Sequence, residues 1–375
     1  MSPRELTPAQ KDRVAGVLLG TAIGDALGVP YEFVEPLLAE EETPVMKGGG
    51  LGPYEPGEYS DDTQMAVCVA NACALHWLRR EPHRTLDAIA ANFLHWSRDG
   101  ATDMGNLTHA VLIAAFIASG LPSALCVTAA RRVYERDRSS FGNGALMRTA
   151  PVGLIGLGSA RVRPGRAVVA RAARAIAALT HADPRAGDAC VLWSEAVRIA
   201  VLEGRFEVTA GLDLIPGERD SCGDEQQSAT PRAWWAGVID EADAADWRFY
   251  RGKTNGATHK SLKVAWACIH STQAGGDGAL GDGAGHIRRA LEACVHVGHD
   301  TDTVAAIAGG LLGARYGASA FPDEWVQAVH GWSGLPDLRE YTAADLASLG
   351  LLVARAGADA SECATLRDAL MDAGA

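Results

Sequence analysis

Gly16, Gly20 and Gly24 fall on every fourth residue of an apolar stretch from Lys11 to Leu27, and no other feature constrains the fold of this 375-residue chain as much. That spacing puts the three glycines on one face of a helix, where the missing side chains let a second helix approach closely. Val14, Val17, Leu18 and Ile23 repeat at helical spacing beside them. Aromatic residues make up only 6% of the chain while Ala and Gly abound, a bias toward closely packed helices over sheets. An all-α fold is therefore expected, with 48% hydrophobic residues to fill its core.

A polar, Gly- and Pro-rich loop follows from about residue 35 to 58. The next helix begins at Ser60-Asp61-Asp62-Thr63 and runs through Met65, Val67, Val69 and Leu75 to Arg79-Arg80, basic residues suited to a helix C-terminus. Further helices are expected at 85–97, 106–118, 122–136, 144–156, 165–181, 186–203, 261–271 and 286–297, and a last strong one from Val304 to about Arg315. The stretch 206–231 is polar and punctuated, which predicts an irregular surface excursion. No linker or repeat divides residues 1–375, so a single domain is expected.

Composition narrows the partners. Lys and Arg total 34 against 46 Asp and Glu, a formal net charge of -12 that argues against nonspecific nucleic-acid binding or attachment to anionic membranes. Cysteines at 68, 73, 126, 190, 222, 268, 294 and 363 include no C-x-x-C pair and mostly lie in apolar contexts. They read as buried thiols of a reducing, cytoplasmic compartment. The N-terminus carries no apolar signal core. The uncharged run between His109 and Arg131 is split by Gly120-Leu121-Pro122, so two buried helices are expected there and no membrane span.

Two acidic clusters, Ser60-Asp61-Asp62-Thr63 and Asp300-Thr301-Asp302-Thr303, each precede an apolar helix. Capping explains one such cluster, since Ser, Thr and Asp accept hydrogen bonds from free N–H groups at a helix start. Two clusters supply four carboxylates, more than caps need. Brought into one cleft, they would require protonation or cations to relieve their repulsion. Oxygen donors with hydroxyls, and no thiolate or histidine set, favour Mg²⁺ or Mn²⁺ over zinc. Two such ions about 3.5–4 Å apart are a familiar hydrolytic arrangement.

Six motifs in order resemble the ADP-ribosylglycohydrolase family, which includes dinitrogenase reductase-activating glycohydrolases and ADP-ribosylhydrolases. They are Gly16-Val-Leu-Leu-Gly-Thr-Ala-Ile-Gly-Asp-Ala-Leu-Gly-Val-Pro-Tyr-Glu-Phe33, Ser60-Asp-Asp-Thr-Gln-Met65, Asp103-Met-Gly-Asn106, Phe141-Gly-Asn-Gly-Ala-Leu-Met-Arg148, Thr180-His-Ala-Asp-Pro-Arg185 and the run from Gly298 to Gly317. The resemblance implies a compact, orthogonally packed all-α fold with a binuclear Mg²⁺ or Mn²⁺ centre in a cleft. Its metal ligands would be Ser60, Asp61, Asp62, Asp300, Asp302 and Thr303, with Ser60 keeping the hydroxyl of the threonine that many members have.

By the same resemblance Glu32 would position the attacking water or gate the site, and Asp103 would assist proton transfer near the scissile ribose. Without it, Glu32 is a solvated acid and Asp103 a cap before Asn106 and Leu107. Ser140, Phe141, Gly142, Asn143 and Gly144 would contact ADP-ribose. Glycines on both sides of Asn143 allow close backbone approach, and Phe141 offers a flat face to a base. His181 would meet the diphosphate or ribose; otherwise it is a helix-end residue. His299 stands where relatives have a small residue, as a support to the metal ligands or a substrate contact. The His299-Asp300 pair also fits the HD phosphohydrolase pattern, which needs further histidines that the other motifs do not supply. Ala257, within Asn255-Gly-Ala-Thr-His-Lys-Ser261, stands where relatives often carry an aromatic residue.

The expected function is metal-dependent hydrolysis of the N- or O-glycosidic bond between ADP-ribose and a modified acceptor, with ADP-ribose and the ADP-ribosylated substrate as partners. The alternative is a catalytically inactive ADP-ribose-binding or structural relative. A two-metal prenyl synthase would need Asp-Asp-x-x-Asp, whereas the chain has Asp61-Asp-Thr-Gln-Met65.

Overall fold

The computed structural model describes residues 5–76, 82–158, 165–217, 229–273, 283–335 and 338–355. Helix α1 (Pro8–Gly28) starts three residues before the apolar periodicity. The Thr7 side chain accepts from the Gln10 N–H, the Gln10 side chain accepts in return from the Thr7 N–H, and Pro8 takes the first turn. Every residue from Val14 to Gly28 is buried, so the helix is apolar around its whole circumference and sits at the centre of the molecule. This helix, extended to Tyr31, is long and apolar enough to cross a membrane, but 94% of that window is buried inside the protein.

The partner promised by the glycine stripe is α11 (Thr301–Tyr316), also buried almost throughout. The two helices run antiparallel with backbones in contact. A Cβ at Gly16 would lie 2.5 Å from the Gly313 carbonyl oxygen, one at Gly20 2.2 Å from that of Gly309, and one at Gly24 2.1 Å from that of Ala305. At Gly28 it would lie 2.3 Å from the Cα of Asp302. The stripe thus brings the C-terminal end of α1 onto the acidic start of α11.

Helices α2 (Asp61–His76), α3 (Pro82–Asp99), α4 (Asn106–Phe116) and α5 (Pro122–Arg136) form one flank, with α3 against α2 and α5. Helices α6 (Arg166–Ala177), α7 (Pro184–Glu203), α8 (Pro231–Asp243), α9 (Thr258–Ser271) and α10 (Gly283–His296) form the other, where α7, α9 and α10 pack on α11. After α12 (Asp323–Ala328) a short antiparallel hairpin pairs β1 (His330–Leu335) with β2 (Leu338–Thr342), and α13 (Ala343–Arg355) returns across α1 and α2. The hairpin braces the approach to α2. The Tyr59 hydroxyl bonds the Gly331 and Trp332 carbonyls, and Asn71 of α2 donates to the Ser333 carbonyl and accepts from the Tyr341 hydroxyl.

Two sequence expectations need correction, and one helix was not foreseen. Residues 144–156 are buried turns with a single 3₁₀ stretch at Ala150–Leu154, because Pro151 interrupts the run and burial on all sides leaves no helical face to read. The expected excursion at 206–231 includes an ordered 3₁₀ turn, Val208–Leu214, packed on α7, while residues 218–228 lie outside the described residues. Helix α8 was hidden behind that stretch. The two helices at 106–136 lie at the surface, with Ile113, Phe116, Ile117 and Leu121 exposed. Six cysteines are free and buried as expected; Cys222 and Cys363 lie outside the described residues.

Candidate active site

Asp25, the one acid in the buried part of α1, is the anchor. The Ser60 N–H and Oγ donate to its Oδ1 at 2.9 and 2.7 Å, and the Thr63 N–H and Oγ1 donate to its Oδ2 at 2.9 and 2.6 Å. The N-terminus of α2 is therefore capped by a carboxylate from another helix. The second acidic helix start behaves alike: Asp300 makes no side-chain cap on α11. Its Oδ2 instead accepts from Asn143 at 2.8 Å. Capping thus accounts for neither cluster.

The freed acids converge. Carboxylate oxygens of Asp25, Asp62 and Asp302 lie within 4.8 Å of one another, as do those of Glu32, Asp300 and Asp302. Asp302 belongs to both triads. Asp25, Asp62 and Asp302 are almost fully buried, and Asp62 Oδ1 has no hydrogen-bond partner. Ser60 Oγ also reaches Asp62 Oδ2 at 3.3 Å, and Thr303 lies against Asp62. Asp61 joins neither triad. It sits half-buried at the rim, its carboxylate receiving the Gly105 N–H, with the half-buried Asp103 close enough to raise its pKa.

So many carboxylates in one low-dielectric pocket oppose one another's ionisation. Burial, then the charges of Asp300, Asp61 and Asp103, push Glu32 up to about 9. Burial, then Asp25, Asp103 and Asp300, push Asp61 up to about 8. Asp62 and Asp302 move the same way for the same reasons. Even Asp25, with four donors, is raised because burial outweighs its hydrogen bonds.

Two left-handed residues hold Glu32 and Asp300 together. Phe33 has φ of 50° and His299 φ of 60°, and the Phe33 N–H donates to the His299 carbonyl at 2.7 Å. The backbone of His299 thus pins the segment carrying Glu32 beside the one carrying Asp300. Asn255 secures the same turn from the other side: its Nδ2 donates to the Gly298 carbonyl and its Oδ1 accepts the Asp300 N–H. Ser261 donates to the Asn255 carbonyl and accepts from Asn143, closing a ring of polar contacts around Asp300.

The loop Ser140–Gly144 reaches this ring through Asn143. The Thr258 N–H donates to the Phe141 carbonyl and the Thr258 hydroxyl to that of Gly142, joining the loop to the 255–258 segment that contains Ala257. Phe141 is buried, stacked on His259 at 5.2 Å with the Arg185 guanidinium 4.2 Å from its centroid, so its ring is already covered. His181 lies beneath the loop, 3% exposed, its Nδ1 2.7 Å from Thr180 Oγ1 and its ring 3.1 Å from where a Gly144 Cβ would stand. Burial, with Arg148 nearby, lowers its pKa to about 3, so the imidazole is neutral. Asp183, from the same motif, caps α7 and pairs with Arg185.

Asp25 and Asn255 were absent from the sequence-predicted site. Asp25 carried a signal: it is a lone acid inside a glycine-striped apolar helix, where an uncompensated charge is costly. Asn255 had none beyond its place before a glycine.

Known proteins resemble this chain over most of its length. The family model for ADP-ribosylglycohydrolase matches residues 6–358. The chain is 28% identical to the ADP-ribosylarginine hydrolase of Pseudomonas putida (strain GB-1), over 88% of this chain and 77% of that one. It is 25% identical to the ADP-ribosyl-[dinitrogen reductase] glycohydrolase of Rhodospirillum rubrum, over 86% and 92%. Against the ADP-ribosylhydrolase ARH3 of Homo sapiens the identity is 25%, over 85% and 90%. A solved structure titled ADP-ribosylglycohydrolase-related protein complex shares the fold with a TM-score of 0.64 at 24% identity, covering 94% of this chain and all of that one. With its match extending across nearly the whole chain, the protein belongs to the ADP-ribosylglycohydrolase family.

Proposed function

We propose that the chain is a metal-dependent hydrolase that cleaves the glycosidic bond between ADP-ribose and a modified acceptor, releasing ADP-ribose. One observation carries the reading: two carboxylate triads share Asp302, and the adjoining Asp62 leaves a buried oxygen without a partner. That is a donor set suited to two hard divalent cations, Mg²⁺ or Mn²⁺. Asp25, Asp62 and Asp302 would hold one and Glu32, Asp300 and Asp302 the other, with Ser60, Asp61 and Thr303 alongside. Bound there, the cations would neutralise the cluster, orient ribose hydroxyls and activate a water.

The chain's own groups set the rest. Asn143 and Asn255 fix Asp300 from two sides. Glu32, set beside Asp300 and Asp302, would position the attacking water at the ribose. Asp103, half-buried beside Asp61, would assist proton transfer near the scissile ribose. Ser140 to Gly144 would line the ADP-ribose path, with neutral His181 supporting the loop from below. Arginine is the acceptor we favour, because half-buried acids at the rim complement a guanidinium and one of the relatives named above is by name an ADP-ribosylarginine hydrolase. The six buried free thiols support a reducing, cytoplasmic setting.

The test is ADP-ribose release by the purified chain from arginine-, serine- and nucleic-acid-linked substrates, with Mg²⁺, Mn²⁺ or chelator. Release from the arginine linkage, abolished by chelator, is expected. Binding of ADP-ribose with no release from any linkage would instead identify an inactive relative.

A further inference from the structure

Tyr54 is a buried polar residue with no role in the account so far. Its side chain lies on the loop between α1 and α2, the residue is 5% exposed, and its hydroxyl has no hydrogen-bond partner. Buried hydroxyls are rarely left unsatisfied without a reason.

The loop is built to hold this ring in place. The Gly49 N–H donates to the Tyr54 carbonyl at 2.9 Å, and a Cβ at Gly48 would stand 2.4 Å from the same oxygen. At Gly52 a Cβ would meet Tyr54 Cε2 at 2.9 Å and Thr102 Cγ2 at 2.5 Å, so Tyr54, Gly52 and Thr102 are packed in succession. Thr102 leads directly into Asp103, and two residues later the Gly105 N–H bonds the Asp61 carboxylate. The ring is therefore packed next to the segment that carries Asp103 and, through Gly105, meets Asp61. Consistent with that position, the charges of Asp61, Asp25, Asp103 and Asp302 add to burial in raising its pKa, which keeps it a neutral donor.

Among the described residues, the side-chain donors closest to the acids are already committed. Carboxylates only accept when ionised. The Ser60 and Thr63 hydroxyls are committed to Asp25, and the Asn143 amide to Asp300 and Ser261. A sugar in the cleft would find acceptors for its hydroxyl protons but few donors for its oxygen lone pairs.

We propose that the Tyr54 hydroxyl is a substrate-binding donor, hydrogen-bonding an oxygen of the ribose that carries the scissile bond. This rests on the reading of the carboxylate cluster as an ADP-ribose site. Tyr54→Phe removes the donor and keeps the ring. In the presence of Mg²⁺ it should weaken ADP-ribose binding by about 3- to 10-fold by calorimetry, the scale of one hydrogen bond, and raise KM with kcat nearly unchanged. The melting temperature of the ligand-free variant should stay level or rise, because an unsatisfied hydroxyl has been removed. Equal affinity of wild type and variant for ADP-ribose overturns the assignment, as does a lower melting temperature with unchanged KM, which would give the hydroxyl to structural packing. Failure of the wild type itself to bind ADP-ribose overturns the functional reading, and this proposal with it.

Discussion

Along the α1–α11 contact, the glycine-lined half and the acidic end solve opposite problems with the same two helices. Where Gly16 and Gly20 face Gly313 and Gly309, backbone meets backbone and side chains are excluded altogether. Past Gly24 the pair opens onto Asp25 and then Asp302, where buried carboxylates are held at mutual cost. The first half is shaped for close packing, and the second gathers charge that the proposed cations would neutralise. Stability and chemistry are thus separated along one helix pair, and the close packing of the first fixes the position of the second.

The largest effect should come from the packed half. Gly313→Leu places a side chain where even a Cβ would lie 1.8 Å from the Gly16 carbonyl oxygen, and neither backbone has room to yield. The expected cost is at or above roughly 3 kcal/mol, the upper end of ordinary overpacking, read as loss of soluble protein or of a cooperative melt. A variant that melts like wild type would show that the helices are not locked there.

Asp302→Asn should do the reverse at the acidic end. Hydrolysis should fall by at least on the order of 10²-fold, as when one electrostatic stabiliser is removed. The chelator-treated variant should melt no lower than wild type at pH 9, because one mutually repelled charge is gone. Paired kcat and melting measurements check both signs.

Asn143→Ala and Asn255→Ala probe the ring that orients Asp300. Each should weaken divalent-cation affinity by about 10- to 100-fold, as expected for groups that orient a ligand, while the helix-pair contact is undisturbed. An unchanged affinity in both would remove the ring from the account.

The smallest effect is in pH. Glu32 and Asp61 ordinarily titrate near 4.5 and 3.8 but are raised to about 9 and about 8 in the folded protein. The folded state therefore holds protons that the unfolded state has released. Their contribution to stability is fully present below about pH 4 and is lost as pH rises through 8 to 9. Chelator-treated protein should lose on the order of a few degrees of melting temperature between pH 6 and pH 9, and saturating Mg²⁺ should flatten that slope.

The packed half was plain in the sequence, because four-residue glycine spacing has one physical meaning in an apolar helix. The acids of the two clusters were also legible, as residue types in excess of what caps require. Which of them meet was not. Asp25 enters the centre from α1, and Asp61, adjacent to Asp62, stays at the rim, because the helical turn separates neighbours by about 100°. Nor does sequence show that Phe141 is covered by His259 and Arg185, a contact between residues over 40 positions apart. Residues 144–156 misled because a segment buried on all sides carries no periodicity to distinguish turn from helix.

The central claim is that the two triads form a centre for paired cations, and the most direct test is to titrate metal-free protein with Mn²⁺ and count the bound ions by magnetic resonance. The account predicts two ions per chain in the wild type and impaired binding of both in Asp302→Asn, since that residue is shared. No bound Mn²⁺, or two ions held equally by wild type and variant, would contradict it.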